Sequence, residues 1–230
     1  MIRKAVLTLA VLALAGSGAS AAGPKGPVGP NRVFLMPDGM AVATRPSASH
    51  LYPRNLAPGE APIYDNLAGK YPDGTYYCCV GWVVSGPDVP LFGQTWLAAA
   101  FTPANNTSVT RVDLGIGFVS GNTNALVVTL NSDASGAPGT ELAKFEIRNM
   151  PMFGSCCAVA TVKDKAGTAL VGGQQYWVVV KTNNKDSDIW ANWNSNDTEQ
   201  INPVPGAYNA GSGWITGNYL VGMAFAVFGK

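Results

Sequence analysis

Residues 111–118 constrain this chain more than any other stretch. Val112, Leu114, Ile116 and Phe118 alternate there with Arg111, Asp113, Gly115 and Gly117. Successive side chains of a strand point to opposite faces, so a period of two predicts a strand with one buried face. The pattern recurs along the chain. Leu126, Val128 and Leu130 share one face, and Ala143, Phe145 and Ile147 alternate with Lys144, Glu146 and Arg148. Thr75–Val84, Trp96–Phe101, Cys157–Val162, Tyr176–Lys181, Ile189–Trp193 and Leu220–Phe228 read as further strands, about nine in all. Dense turn chemistry separates them, at Asn131–Gly139, Gly172-Gly173 and Gly211-Ser212-Gly213. Helical periodicity is missing after residue 22. Short, evenly punctuated strands predict an all-β fold, an antiparallel sandwich of two sheets. Jelly-roll topology is the first expectation and an immunoglobulin-like sandwich the alternative.

The N-terminus predicts export. Arg3 and Lys4 precede an apolar run from Ala5 to Ala15, and small residues follow through Ala22. That is the layout of a signal peptide, and the run is too short to span a membrane. Residues 1–22 are read as this signal, 23–62 as a proline-rich arm, and 63–230 as the sandwich domain. The arm carries eight of the 16 prolines, which favours extended chain over a folded unit. Its apolar residues Val33–Met36 are candidates to dock as a strand. No second apolar run reaches spanning length, so no membrane span is expected after signal removal.

Charge narrows the partners. Only 13% of residues are charged, against about 25% in a typical soluble domain. Removing Arg3 and Lys4 leaves 13 basic against 14 acidic side chains. Such a chain has no basic excess to hold phosphates, and nucleic acid is not an expected partner. Neutral surfaces rich in Thr, Ser and Asn suit an extracellular glycan or another cell-surface component.

Several segments in order resemble the bacterial secreted choice-of-anchor domains, closest to the type labelled R. They are Ile63–Leu67, Trp82–Gly86, Ala100–Pro103, Val112–Phe118, Val128–Asp133 with Gly136–Leu142, Gln175–Val179 and Asp188–Trp193. The resemblance spans residues 62–228. Its most specific parts are the Ser-Asp…Gly-x-Pro-Gly-Thr-x-Leu turn and the Tyr-Trp-Val strand. Such domains are common in exported proteins bearing PEP-CTERM-type sorting signals. The resemblance implies a sandwich at the cell surface or outside it, and no enzymatic activity. The C-terminal sorting signal is absent here, so the expectation is a secreted, periplasmic or cell-surface protein.

Catalytic groups are sparse. The single histidine, His50, lies in the arm, and no Gly-x-Ser-x-Gly elbow supports a nucleophile. Glycoside hydrolysis needs paired carboxylates. Glu141 and Glu146, five residues apart on one strand, are expected on opposite faces. No catalytic residue and no cofactor is therefore assigned, with an envelope hydrolase as the least favoured reading. The leading reading is a non-catalytic protein of surface structure or adhesion, and the alternative is a carbohydrate-binding module. For the latter, Trp190 shares a strand face with Asn192 and Asn194, and Tyr208 and Trp214 follow nearby. An exposed indole stacks on a sugar ring while amides bond its hydroxyls. Packing of Trp190 and Trp193 in the core is the competing expectation. Asp186 and Asp188 are weak Ca²⁺ candidates on residue type alone, and no metal site is assigned.

The four cysteines come as adjacent pairs, Cys78-Cys79 and Cys156-Cys157. An exported chain meets oxidising conditions, so disulfides are expected. Bridges between the two segments are favoured over a ring within each pair. A bridge of this kind closes a loop of nearly 80 residues, worth roughly 4 kcal/mol in the chain-entropy model. Non-reducing peptide mapping should recover the 78/79 peptide joined to the 156/157 peptide. Two separate vicinal rings would contradict this pairing.

Overall fold

A computed structural model of the protein describes residues 33–35, 40–43, 56–67, 77–154, 159–183, 185–196, 204–219 and 222–230. Among them the chain forms strands and no helix. In chain order the strands are β1 (Val33–Leu35), β2 (Met40–Ala43), β3 (Ala61–Asp65), β4 (Tyr77–Ser85), β5 (Trp96–Phe101), β6 (Thr107–Leu114), β7 (Ile116–Ser120) and β8 (Ala125–Asp133). They continue as β9 (Pro138–Arg148), β10 (Ala160–Lys163), β11 (Ala169–Leu170), β12 (Tyr176–Lys181), β13 (Trp190–Ser195), β14 (Val204–Asn209), β15 (Trp214–Tyr219) and β16 (Phe225–Gly229). No helix long and apolar enough to cross a membrane occurs among the described residues.

The topology is that of a jelly roll. One sheet has the order β10-β6-β16-β3, and the facing sheet contains the run β5-β12-β8-β9. With these eight strands numbered along the chain, the orders are sixth-third-eighth-first and second-seventh-fourth-fifth. Two interlocked Greek keys give that arrangement. An immunoglobulin-like sandwich would place its first, second, fifth and fourth strands in one sheet, so that alternative is excluded. The hairpin β14–β15 widens the second sheet beyond β5.

A third sheet, β1-β2-β4-β13-β7, continues the first layer. The run 111–118 forms two strands, divided at Gly115 as the chain passes from one sheet to the next. The Gly115 N–H donates to the Ala224 carbonyl at 3.0 Å, and the Asn194 N–H donates to the Gly115 carbonyl at 2.7 Å. The Ala224 N–H donates in turn to the Asn194 carbonyl at 2.8 Å. Three backbones thus close a seam, and the two sheets run on as one layer. Part of the proline-rich arm belongs to this layer: β1 pairs with β2, and β2 pairs with β4 through Met40–Trp82, Ala41–Gly81 and Val42–Val80. The arm's last residues, Ala61 and Pro62, open β3.

The inner faces bury one apolar core. The first layer supplies Val84, Ile189, Ala191 and Trp193, and then Val112, Leu114, Phe225 and Val227. The second supplies Leu97, Ala99, Phe101, Leu126, Val128, Leu130, Val178 and Val180. The alternation read in β6, β7 and β8 is this burial. Trp193 is fully enclosed, and its indole N–H donates to the Ala224 carbonyl at 2.9 Å. Phe225 meets Trp193 edge-on at 5.9 Å and stacks on Tyr64 at 4.6 Å. Asn66, also buried, accepts from the Phe225 N–H at 2.7 Å and donates to the Met223 carbonyl at 2.8 Å. That amide fastens the end of β3 to the start of the last strand.

The outer face of the first layer carries a buried ionic group. Arg111 sits 4.1 Å above the Phe228 ring, 3.4 Å from Glu60 and 3.8 Å from Asp113. Asp113 is fully buried and accepts from the Thr161 hydroxyl at 2.7 Å. Burial outweighs that hydrogen bond and pushes its carboxyl up to about 6. Glu60 shifts the other way. Burial opposes its ionisation, but hydrogen bonds from Thr110 and Ala57 and the Arg111 charge prevail.

Two stability outcomes follow from these contacts. Trp193→Ala should cost about 3–5 kcal/mol in denaturant unfolding, because it empties the core and removes one of the two hydrogen bonds to a seam carbonyl. A smaller loss would show that the core collapses around the gap. Asp113 binds its proton more tightly folded than unfolded, so its contribution is complete below about pH 4 and is lost as pH rises through 6. Wild-type thermal stability should therefore fall relative to Asp113→Asn across pH 4 to 6.5. Parallel profiles over that window would contradict the assignment.

Candidate functional site

The alternation places Trp190, Asn192 and Asn194 on the outer face of β13, as their spacing predicts. That face is covered. Phe153 packs with Val83, and Phe92, Val119 and Trp190 pack against the pair. The Phe153 backbone lies directly on β7 at Gly117, where an added Cβ would meet the Phe153 Cα at 2.7 Å. Asn192 is flanked in register by Val83 and Gly117 and is fully buried, while Asn194 is 2% exposed. The Trp190 indole N–H donates to the Asn192 side-chain oxygen at 3.2 Å, and Phe92 lies 5.1 Å from its ring. Both amides are enclosed within the protein, out of reach of a ligand, so the expected sugar-binding face at Trp190 does not form.

The other expected site residues are dispersed. Tyr208 is exposed and pairs with Ile215, whereas Trp214 pairs with Asn209 on the opposite side of the hairpin. The Asp188 carboxylate is engaged by Asn122, which donates from its backbone N–H at 3.1 Å and its side-chain amide at 2.6 Å. Asp186 is buried, with its N–H on the Asn183 carbonyl at 3.1 Å. No group of three His, Cys, Asp or Glu side chains gathers among the described residues. Cys78 and Cys79 lie in β4, but their side chains, with Cys156, Cys157 and His50, fall outside the described residues.

A different surface is assembled on the outer face of the six-stranded sheet. Its middle is floored by Ala98, Ala100 and Ala207, which leave room for a flat indole. Trp177 fills that space, fully buried, and donates to Asp133 at 2.7 Å. Burial works against the Asp133 charge, but donors from Gly136, Trp177 and Gln175 hold its carboxyl below the usual range. Trp214 packs against the same cluster.

At one end of this sheet a single row crosses all six strands. Trp214 pairs with Asn209, and Asn209 pairs with Trp96. Lys181 stands one step past the Val180–Leu97 pair, with its amine 6.0 Å from the Trp96 ring centroid. Lys181 pairs with Val127, and Val127 with Glu146. Five strand spacings make this row about 24 Å long. Trp96 is half-buried and fixed, since its indole N–H donates to the Thr182 hydroxyl at 3.1 Å. Beside it opens a cavity of about 640 Å³, lined by Trp96, Val127, Lys144, Glu146, Lys181 and Lys185, among others. A second cavity of about 360 Å³, past the end of β9, has no aromatic wall.

The sheet also corrects one expected geometry. A register shift between Leu130 and Asn131 sets Glu141 opposite Asn131, while Glu146 stays opposite Val127. This β-bulge turns Glu141 onto the same outer face as Glu146. Each carboxylate is paired, Glu141 with Lys181 at 3.1 Å and Glu146 with Arg148 at 2.7 Å. Their partners on β8 are four residues apart, about 13 Å of backbone at strand rise, and each carboxylate is held by a different cation. The sequence reading missed Trp96, Lys144, Lys181 and Lys185 as a group, because their proximity comes from strand pairing. Trp96 and Lys181 at the ends of their strands were the only local signal.

The chain matches no protein-family model and no curated protein.

Proposed function

We propose that the protein is a secreted, non-catalytic β-sandwich that acts at the cell surface or outside the cell by holding a glycan. The observation that carries this reading is the row from Trp214 to Glu146 with the cavity beside Trp96. A half-exposed indole held at a fixed angle offers an apolar platform to a sugar ring. Lys144, Lys181, Glu146 and Asn183 around it supply donors and acceptors for hydroxyls. The platform stands on strands, which orient it more firmly than a loop would. The separated, ion-paired positions of Glu141 and Glu146 favour binding over hydrolysis. The signal-like N-terminus and the resemblance to choice-of-anchor domains support an exported setting. A role in adhesion is compatible with the same surface.

Affinity electrophoresis against a panel of neutral and acidic polysaccharides tests the reading. At least one gel should retard the mature protein, and Trp96→Ala should weaken that retardation about tenfold or more. Trp190→Ala should bind as wild type once its folding is checked, because that side chain serves the Phe92 contact. Equal loss in both variants, or no retardation by any gel, would overturn the proposal.

A further inference from the structure

We infer that the cavity beside Trp96 selects acidic polysaccharide, pyranoses that carry a carboxylate or sulfate group. The inference rests on the glycan-binding reading and adds the charge of the ligand to it. Three lysines line the cavity, Lys144, Lys181 and Lys185, against one acidic residue, Glu146. The whole chain is nearly neutral, at +1, so this cavity gathers a local excess. Glu146 is compensated by Arg148 at 2.7 Å, and Lys181 is held by Glu141 at 3.1 Å. Lys144 and Lys185 are exposed and have no ion-pair partner among the described residues. Two cations are therefore available to a ligand, and a third is fixed beside the indole.

Strand pairing fixes how these groups divide the ligand. Lys144 pairs with Thr129 on β8, two residues along from the Val127–Glu146 pair, and Lys181 pairs with Val127 from the other side. Lys181 and Glu146 thus flank Val127, which is 6% exposed and forms an apolar floor, and Lys144 stands one same-face step along β9 from Glu146. Lys185 reaches the cavity from the loop after β12, beside Thr182 and Asn183. The floor lies two strands from Trp96, about 10 Å, so a polysaccharide with one pyranose ring on Trp96 lays its next residue over the floor, toward the two free amines. A neutral hydroxymethyl group would leave those amines to water. A carboxylate or sulfate would take charge-assisted hydrogen bonds from them.

Paired gels separate charge from sugar shape. Polygalacturonate is compared with its fully methyl-esterified form, and dextran sulfate with dextran, at low and high salt. The mature protein should be retarded by polygalacturonate, dextran sulfate or both, and the pair that responds names the anionic group. Neither neutral counterpart should retard it, and retardation should fall as salt rises. Lys144→Gln/Lys185→Gln, both exposed positions that leave the fold intact, should weaken binding about tenfold or more. Trp96→Ala should weaken it similarly, while Lys165→Gln, an exposed loop lysine elsewhere, should not. Equal binding of the neutral polymers, or wild-type affinity in the double lysine variant, would overturn the inference and leave the glycan reading standing. Loss with the lysines but not with Trp96→Ala would mark plain adsorption to a basic patch and would also overturn it. No retardation by any of the four polymers would remove the inference, and failure across the wider panel would remove the glycan reading with it.

Discussion

The Ala224 carbonyl accepts two hydrogen bonds, from the Gly115 N–H at 3.0 Å and from the Trp193 indole at 2.9 Å. Gly115 stands at the junction between the first layer's two sheets, Trp193 lies in the sheet of β7, and Ala224 leads into β16 of the other. Gly115 lets β6 leave one sheet and enter the other as β7 without breaking the alternation of buried side chains. Trp193 carries the inner face of β13 into the same core as Phe225. Unfastening this point would leave two half-layers, each with an open edge and an uncovered apolar face. The facing six-stranded sheet needs both halves, because its own inner row runs from Leu97 through Val180 to Val128 and Phe145.

The second sheet is as wide as it is because β14–β15 adds two strands outside β5. That width turns an ordinary sandwich face into a long row. Tryptophan stands at one end and charge at the other, and both are set by register. Alanines at 98, 100 and 207 let Trp177 lie flat and buried, which leaves Trp96 and Trp214 as the partly open rings. The β-bulge beside Leu130 then brings Glu141 round to hold Lys181 next to Trp96. Binding and folding share these residues without conflict, since the donors offered to a ligand sit on exposed positions while the burial sits beneath.

Much of the fold was legible in the sequence. Alternation identified β6 with β7, β8 and β9, the Tyr176–Lys181 run identified β12, and turn residues marked the ends. The hairpin β14–β15 was not legible as strands. Pro205, Gly206 and Gly217 have low strand propensity, and Pro205 is accommodated because β5 pairs with β14 only from Gly206 onward. The split at Gly115 was hidden because Leu114 and Ile116 keep the period of two on both sides of it. For the site, the sequence placed Trp190, Asn192 and Asn194 on one face but not what lies over that face. Phe153 reaches it from a segment some forty residues away, and no local pattern announces such a cover. Trp96 and its lysines come from three separate segments, so only strand pairing assembles them.

The account rests on where a glycan sits. Backbone amide shifts recorded by solution NMR during titration with an oligosaccharide of a polymer that retards the protein in gels locate it directly. The account predicts perturbations gathered at Trp96, Val127, Lys144, Lys181 and Asn183, with the amides around Phe92 and Trp190 unmoved. Shifts centred on Phe92 and Trp190, or a spectrum that does not respond, would contradict it.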